Sequence, residues 1–137
     1  MRVRQLQRLV FGGIIAAAGL VTPVSGQRPQ LGVLDELQSG RWELRLRGNS
    51  ATAESMCLQS GRSLIQIRHQ HTNCDRYIVN DGLNDVTVQY TCHGQGYGLT
   101  HIRRESARLV QIESQGIARG LPFDLVAEAR RVGDCTA

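Results

Sequence analysis

Four histidines are the side chains of this 137-residue chain that could assemble a metal site. His69, His71, His93 and His101 all lie close in sequence to one segment that begins and ends with cysteine, residues 74–92. Imidazole groups bind zinc or copper, but a structural zinc site needs four ligands at suitable spacing. Three of these histidines fall in predicted polar or glycine-rich loops, where the sequence shows no neighbours that would orient them. We therefore predict no metal site and no cofactor.

Carboxylates offer a second chemistry, because two of them placed across a glycosidic bond can hydrolyse it. The candidates are Glu43, Glu54, Glu113 and Asp124. Most of them alternate with apolar residues, as the solvent-facing positions of a strand do. The sequence has no Gly-x-Ser-x-Gly motif for a serine nucleophile. We predict no catalytic residue. The alternative is a small exported hydrolase with an unrecognised carboxylate or histidine site.

Arginine supplies all 16 basic residues of the chain, against 12 acids. The pairs Arg103-Arg104 and Arg130-Arg131 could contact an anionic surface, although solvated positions are the plainer interpretation. Three arginines belong to the first eight residues, and without them 13 arginines face 12 acids. This balance gives no reason to predict nucleic-acid binding.

The N-terminal segment predicts export. Residues 1–8 carry three arginines and no acid, residues 9–21 form an uncharged apolar run, and small residues precede Gln27. This order is typical of a secretory signal peptide, and the apolar run is shorter than the ~20 residues of a membrane-spanning helix. We assign residues 1–26 as a signal peptide and expect no transmembrane span after its cleavage. The mature protein is then expected to be exported.

Four cysteines form an even set, which in an exported chain predicts two disulfide bonds. They are Cys57, Cys74, Cys92 and Cys135. No Cys-x-x-Cys motif is present, which counts against a redox site or a zinc ribbon.

A hairpin is predicted between the second and third cysteines. Residues 77–79 and 86–90 are rich in β-formers and flank a turn at 81–85. A five-residue loop would place Asn80 opposite Val86 and Cys74 opposite Cys92, as a cross-strand disulfide requires. A two-residue turn at residues 81–82 would instead leave Cys92 unmatched. We favour the longer loop, which leaves Cys57 and Cys135 as the second pair.

Hydrophobic periodicity indicates the elements before this hairpin. Residues 27–39 form an N-terminal segment with a short helix, in which leucines recur at 31, 34 and 37. Residues 41–47 alternate as a strand, with Trp42, Leu44 and Leu46 on one face. Residues 53–59 form a second strand. Residues 64–68 fit either a short helix or a strand, and we favour the helix.

Further strands follow the hairpin. Residues 97–105 are predicted to place Tyr97, Leu99 and His101 on the face that carries Val86, Val88 and Tyr90. Residues 108–114 form the next strand, and residues 116–120 form a loop. The last strand, residues 122–130, carries an apolar face of Phe123, Leu125, Ala127 and Ala129.

Strands that follow one another through short glycine-containing turns predict a mainly β fold with minor α content. We expect an antiparallel meander of six or seven strands in a curved sheet or partly open barrel, with one or two short helices. Residues 40–137 form a single disulfide-bonded domain. Within the curve, Trp42, Leu44, Tyr90 and Phe123 are predicted to line a ligand site. The favoured function is a non-enzymatic cell-envelope module that binds a small apolar ligand or an envelope protein.

The order of these features resembles a known family. A signal peptide precedes Gly40-Arg-Trp-Glu-Leu44, then Cys57-Leu58, Cys74, Cys92 with a glycine-rich turn, and Gly133-Asp-Cys135. This is similar to the bacterial exported proteins grouped as domain-of-unknown-function family 3617 (DUF3617), over nearly the whole of residues 40–135. The resemblance implies a periplasmic or secreted β-rich domain with two disulfides, and it implies no site residues.

Overall fold

The computed structural model describes residues 30–48, 53–70 and 72–136. These residues form one helical turn, α1 (Gly32–Asp35), a 3₁₀ helix (Gly61–His69) and seven strands. The strands are β1 (Gly40–Leu46), β2 (Ala53–Leu58), β3 (Cys74–Asp81), β4 (Asp85–Cys92), β5 (Gly96–Ser106), β6 (Leu109–Ala118) and β7 (Leu121–Gly133). The predicted mainly β fold is confirmed, whereas the predicted signal peptide lies outside the described residues. Within those residues, no helix has the length and apolar character needed to cross a membrane.

All seven strands join one antiparallel sheet in the order β2-β1-β7-β6-β5-β4-β3. Strands β3 to β7 form the predicted meander. The hairpin of β1 and β2 extends this meander, because β1 pairs with the last strand, β7. In the part of the chain that the structure describes, no pairing joins the edge strands β2 and β3. The sheet is therefore open.

The 3₁₀ helix crosses the inner face of the sheet between the two edge strands. A small cavity of about 190 Å³ touches β2 at Met56, the helix at Gln66 and β3 at Arg76. In a flat seven-stranded sheet the two edges would stand about 29 Å apart, at ~4.8 Å per strand spacing. A single small cavity that reaches both edges therefore means that the sheet curls around the helix.

Local contacts fix both helical pieces. The Ser60 hydroxyl accepts a hydrogen bond from the Arg62 backbone N–H at 3.2 Å and begins the 3₁₀ helix. Arg62 also donates to both carboxylate oxygens of Asp35 at 2.7 Å, which joins this helix to α1. The helix favoured for residues 64–68 is confirmed as part of this longer segment, which is kinked at Gln66, where φ is −120° and ψ is 48°. The predicted N-terminal helix is shorter than expected, although its leucines are buried as their spacing predicts: Leu31, Leu34 and Leu37.

Two disulfide bonds join Cys74 to Cys92 and Cys57 to Cys135. These are the pairs that the hairpin register and the even cysteine count predict. Cys74 and Cys92 lie directly opposite each other on β3 and β4, with Cα atoms 4.2 Å apart.

The predicted five-residue loop of this hairpin is wrong. Strand β3 continues to Asp81, which pairs with Val86. A bulge at Val79 inserts one extra residue into β3, so Asn80 faces Thr87 rather than Val86. Because the extra residue shifts the register by one, the loop is shorter while the cysteines stay opposite each other.

The face assigned to β5 from the sequence is also wrong. Directly paired residues share a face of the sheet, and the inner residues Val88 and Tyr90 pair with Thr100 and Gly98. The predicted residues Tyr97, Leu99 and His101 therefore lie on the outer face. The three-residue turn after Cys92 pairs this cysteine with Gly96, and that pairing sets the alternation.

The start of β7 differs from its prediction as well. Most of the predicted loop 116–120 is strand, because β6 continues to Ala118, which pairs with Leu121. Only Arg119 and Gly120 form the turn, and both have positive φ, 52° and 78°, as a type I′ turn requires. The apolar face of β7 is otherwise as predicted, with Leu125, Ala127 and Ala129 buried.

Candidate ligand-binding groove

A groove of about 650 Å³ opens at the end of the curled sheet where the 3₁₀ helix ends. The end of β1, the start of β2, the turn between β6 and β7 and the start of β7 surround it. Its volume falls in the ~300–1,000 Å³ range of small-molecule sites. Its lining includes Leu46, Glu54, Arg68, His69, Arg119 and Leu121.

A glycine makes room for an aromatic ring at this end of the inner face. Gly98 lies between Tyr90 of β4 and Gly116 of β6 in the sheet. A Cβ atom on Gly98 would lie 2.5 Å from the Tyr90 ring. The Tyr90 ring therefore fills the space that a side chain at position 98 of β5 would otherwise occupy.

His69 forms the floor of the groove and is 5% exposed. Its Nδ1 atom lies 3.0 Å from the Tyr90 hydroxyl oxygen, and its Nε2 atom lies 3.1 Å from the carbonyl oxygen of Gln95. A carbonyl can only accept, so Nε2–H donates to Gln95 and, in the neutral ring, Nδ1 accepts from Tyr90. Both ring nitrogens therefore have partners within the protein.

A second set of polar contacts lies behind the floor. The Thr100 hydroxyl donates to the carbonyl of Ile65 at 2.6 Å and lies 2.7 Å from the Ser114 hydroxyl, which in turn donates to it. These bonds fix the 3₁₀ helix to β5 and β6. Burial raises the pKa of the Tyr90 hydroxyl above its ordinary value, while the Ser114 hydroxyl and the charge of Arg68 act in the opposite direction.

The structure separates the four residues predicted to line a ligand site. Leu44 and Phe123 line the groove. Tyr90 is buried behind its floor and connects to it through His69. Trp42 is fully buried in the core, and its indole N–H donates to the backbone carbonyl of Gln38 at 3.0 Å.

Two arginines of the groove were not identified from the sequence. The guanidinium carbon of Arg68 lies 5.8 Å from the centroid of the Phe123 ring. Arg119 lies in the turn between β6 and β7, and its backbone N–H donates to Gln95 O at 3.0 Å, the carbonyl that also accepts from His69. The available signal was Gly120 between two alternating runs, since glycine is typical of the second position of a two-residue hairpin turn, whereas arginine is not typical of the first.

The remaining predicted histidines and acids lie elsewhere, apart from Glu54, which lines the groove. Nε2 of His93 lies 2.8 Å from the Asp75 carboxylate and Nε2 of His101 lies 3.5 Å from the Asp85 carboxylate, both at the surface. The outer face of the sheet carries the other three candidate acids, Glu43, Glu113 and Asp124. His71 lies outside the described residues. Among the residues described, no three His, Cys, Asp or Glu side chains are grouped so that they could hold a metal ion.

The paired arginines of the sequence form separate ion pairs rather than one patch. Arg103 binds Glu105 at 3.0 Å, and Arg104 binds Glu36 at 2.7 Å. The other pair does the same, with Arg130 bound to Glu128 and Arg131 bound to Asp134. Their charges are therefore largely balanced where they lie.

Comparison of the chain with protein-family models, with curated proteins and with solved structures finds no match in any of the three. The resemblance to domain-of-unknown-function family 3617 stays a prediction.

Proposed function

We propose that the protein is an exported, non-enzymatic module that binds a small apolar ligand in the groove. The observation that carries this proposal is the apolar wall of a recessed site of about 650 Å³. Leu44 and Phe123 lie deep in the wall, and Leu46 and Leu121 reach its rim, where they are 42% and 70% exposed. Covering such side chains with a ligand removes apolar surface from water, which favours binding.

The contacts of His69 support binding rather than hydrolysis. A histidine that acts as a general base needs a free nitrogen within reach of the substrate. Both nitrogens of His69 are hydrogen-bonded, to Tyr90 and to Gln95, and neither contacts Glu54, the one acid among the lining residues. His69 therefore acts as a structural part of the floor.

The proposed location is the bacterial periplasm or the exterior of the cell. Two disulfide bonds indicate an oxidising environment. The basic, apolar and small-residue order of residues 1–26 supports export, as does the family resemblance. N-terminal sequencing of exported protein should read Gln-Arg-Pro, and an intact Met1 in that fraction would contradict the proposal.

The binding proposal can be tested with an uncharged apolar probe. Native mass spectrometry of protein from the periplasm should detect a retained apolar molecule, and delipidated protein should bind N-phenyl-1-naphthylamine with a rise in fluorescence. The double substitution Leu46→Asn/Leu121→Asn should lower the affinity for this probe about tenfold, because the ligand loses apolar contact worth ~1–1.5 kcal/mol.

A matched control uses two leucines of similar exposure away from the groove. Leu83, in the turn between β3 and β4, is 76% exposed, and Leu99, on the outer face, is 36% exposed. Leu83→Asn/Leu99→Asn should leave the probe affinity unchanged. Wild-type protein that does not bind the probe, or an equal loss in both double variants, would count against the proposed function.

A further inference from the structure

Charged side chains stand at the groove without balancing partners. Arg68, Arg119 and Glu54 line it, and among the described residues none of the three forms an ion pair. Of the ten other arginines in the described chain, six have an acid in contact, namely Arg45, Arg62, Arg103, Arg104, Arg130 and Arg131, and four do not. The arginines and the acid that line the groove therefore give it two positive charges against one negative charge.

Arg68 is held where a polar head group would meet the apolar wall. Its guanidinium lies over the Phe123 ring, which is itself part of that wall. A guanidinium stacked on an aromatic face keeps its N–H donors free at its edge, in a planar fork that matches a carboxylate or a phosphate. A ligand whose anionic group binds Arg68 would therefore have its own apolar chain in contact with Phe123.

Arg119 occupies a backbone position that favours other residues. Its φ of 52° belongs to a type I′ turn, in which asparagine or glycine is preferred. The turn is tied to the floor of the groove, because the Gln95 carbonyl accepts from both the Arg119 backbone and His69. Arginine at this position therefore has an unfavourable backbone conformation and places a second positive charge beside the groove.

We propose that the ligand is an anionic single-chain amphiphile, whose carboxylate or phosphate head binds Arg68 and Arg119 while its chain lies along the apolar wall. This proposal rests on the proposed function of the groove and adds the chemistry of the head group. A cationic head would meet two like charges and one opposite charge at the same place. An uncharged apolar molecule would leave both guanidinium groups without a partner.

The test compares three ligands that share one chain, namely dodecanoate, dodecyl phosphate and the uncharged dodecanol, by displacement of bound N-phenyl-1-naphthylamine. Wild-type protein should bind each anion at least about tenfold more tightly than dodecanol, as expected for charge-assisted hydrogen bonds. Whichever anion binds more tightly identifies the head group. The preference should weaken at high salt.

Substitutions of Arg68 and Arg119 test whether these two arginines cause the tighter binding of the anions. Arg68→Gln and Arg119→Gly should each lower the affinity for the anions roughly fivefold to tenfold and leave dodecanol binding unchanged. Glycine suits the backbone at position 119, so the second variant should melt at or above the wild-type temperature, which separates lost binding from lost folding. The matched control is Arg108→Gln, in the turn between β5 and β6 at the opposite end of the sheet.

The outcomes distinguish the two proposals. Equal affinity of wild-type protein for dodecanoate, dodecyl phosphate and dodecanol would overturn the anionic head group while apolar binding stands. An unchanged preference in the Arg68→Gln/Arg119→Gly double variant would also overturn it. Failure of all three ligands and of the probe to bind would instead overturn the proposed function.

Discussion

The hydroxyl oxygen of Tyr90 lies 3.0 Å from Nδ1 of His69, and the two rings meet edge to face with their centroids 5.3 Å apart. Tyr90 belongs to β4, whereas His69 is the last residue of the 3₁₀ helix. The contact therefore holds the end of this helix against the sheet and fixes the floor of the groove. Because both side chains are buried, its loss should be measurable as a loss of stability.

Tyr90→Phe should lower the free energy of unfolding by ~1–3 kcal/mol, because Nδ1 of His69 would remain buried without a hydrogen-bond donor. Urea unfolding would measure the change. The matched control is Tyr97→Phe on the outer face, where the ring is 50% exposed, and it should cost less than ~0.5 kcal/mol. Equal losses in the two variants would show that the His69 contact has no special role.

The stability that Tyr90 provides should depend on pH in alkaline solution. Burial raises the pKa of this hydroxyl in the folded protein, so the unfolded chain loses the proton at lower pH. The folded state then holds more protons, and its stability falls as pH rises above the unfolded value of ~10. The difference in unfolding free energy between the wild type and Tyr90→Phe should therefore shrink between about pH 8 and about pH 11. Parallel pH curves for the two proteins would contradict this expectation.

Gly98→Ala should destabilise the protein by ~1–3 kcal/mol, since its Cβ atom would meet the Tyr90 ring at 2.5 Å and force the ring to move. The same movement should weaken probe binding, because His69 rests on Tyr90. Gly133→Ala is the matched control, because the nearest heavy atom to its new Cβ would be Nη2 of Arg41 at 3.7 Å. If both variants unfold at the same urea concentration, the close packing of Tyr90 on Gly98 does not matter.

The disulfide pairs were predictable because strand register is counted outward from a turn. The bulge at Val79 was not, since valine fits a regular strand as well as a bulge. The bulge adds one residue to β3 and the loop is shorter by one residue, so the two differences from the prediction cancel. The pairing of Cys74 with Cys92 was therefore right although the predicted loop was wrong.

The inner face of β5 could not be found from hydrophobic alternation. Tyr97 and Leu99 form a more apolar series than Gly98 and Thr100, so the pattern favoured the wrong face. Tertiary contacts decide which face of β5 is the inner one, because the Tyr90 ring occupies the space over Gly98 and the Thr100 hydroxyl donates to the carbonyl of Ile65 in the 3₁₀ helix. The groove is hidden from the sequence for the same reason, since its floor and wall come from separate elements.

Arg62→Gln should show an acid-dependent loss of stability. The hydrogen bonds from Arg62 lower the pKa of the Asp35 carboxyl, so the contribution of this pair is present above the unfolded pKa of ~3.9 and is lost as pH falls through the lower folded value. Both side chains are partly exposed, which limits the contribution to ~0.5–1 kcal/mol at neutral pH. Urea unfolding at neutral pH and below about pH 3 would test it. A loss that persists in acid would belong instead to the contact between Arg62 and the Gln30 carbonyl.

The two disulfides should differ in what they stabilise. Arg41 pairs with Cys57 on β2 and with Gly133 on β7, so the bond from Cys57 to Cys135 ties the edge strand β2 to the segment after β7. It closes a longer stretch of chain than the other bond, with sequence separations of 78 and 18. The chain-entropy model gives losses of ~4.5 kcal/mol and ~3 kcal/mol when the two bonds are removed.

We expect Cys57→Ser/Cys135→Ser to be the less stable double variant and Cys74→Ser/Cys92→Ser to be the weaker binder. Cys74 follows Thr72 closely, and the Thr72 hydroxyl donates to the His69 carbonyl at 2.6 Å, so loosening this edge disturbs the floor of the groove. Urea unfolding would rank stability, and displacement of N-phenyl-1-naphthylamine would rank affinity. Hydrogen exchange should quicken in β2 for the first variant and in β3 for the second, because each edge strand pairs with only one neighbour. If Cys57→Ser/Cys135→Ser is the weaker variant in both stability and binding, the Cys74–Cys92 bond has no separate role in holding the groove.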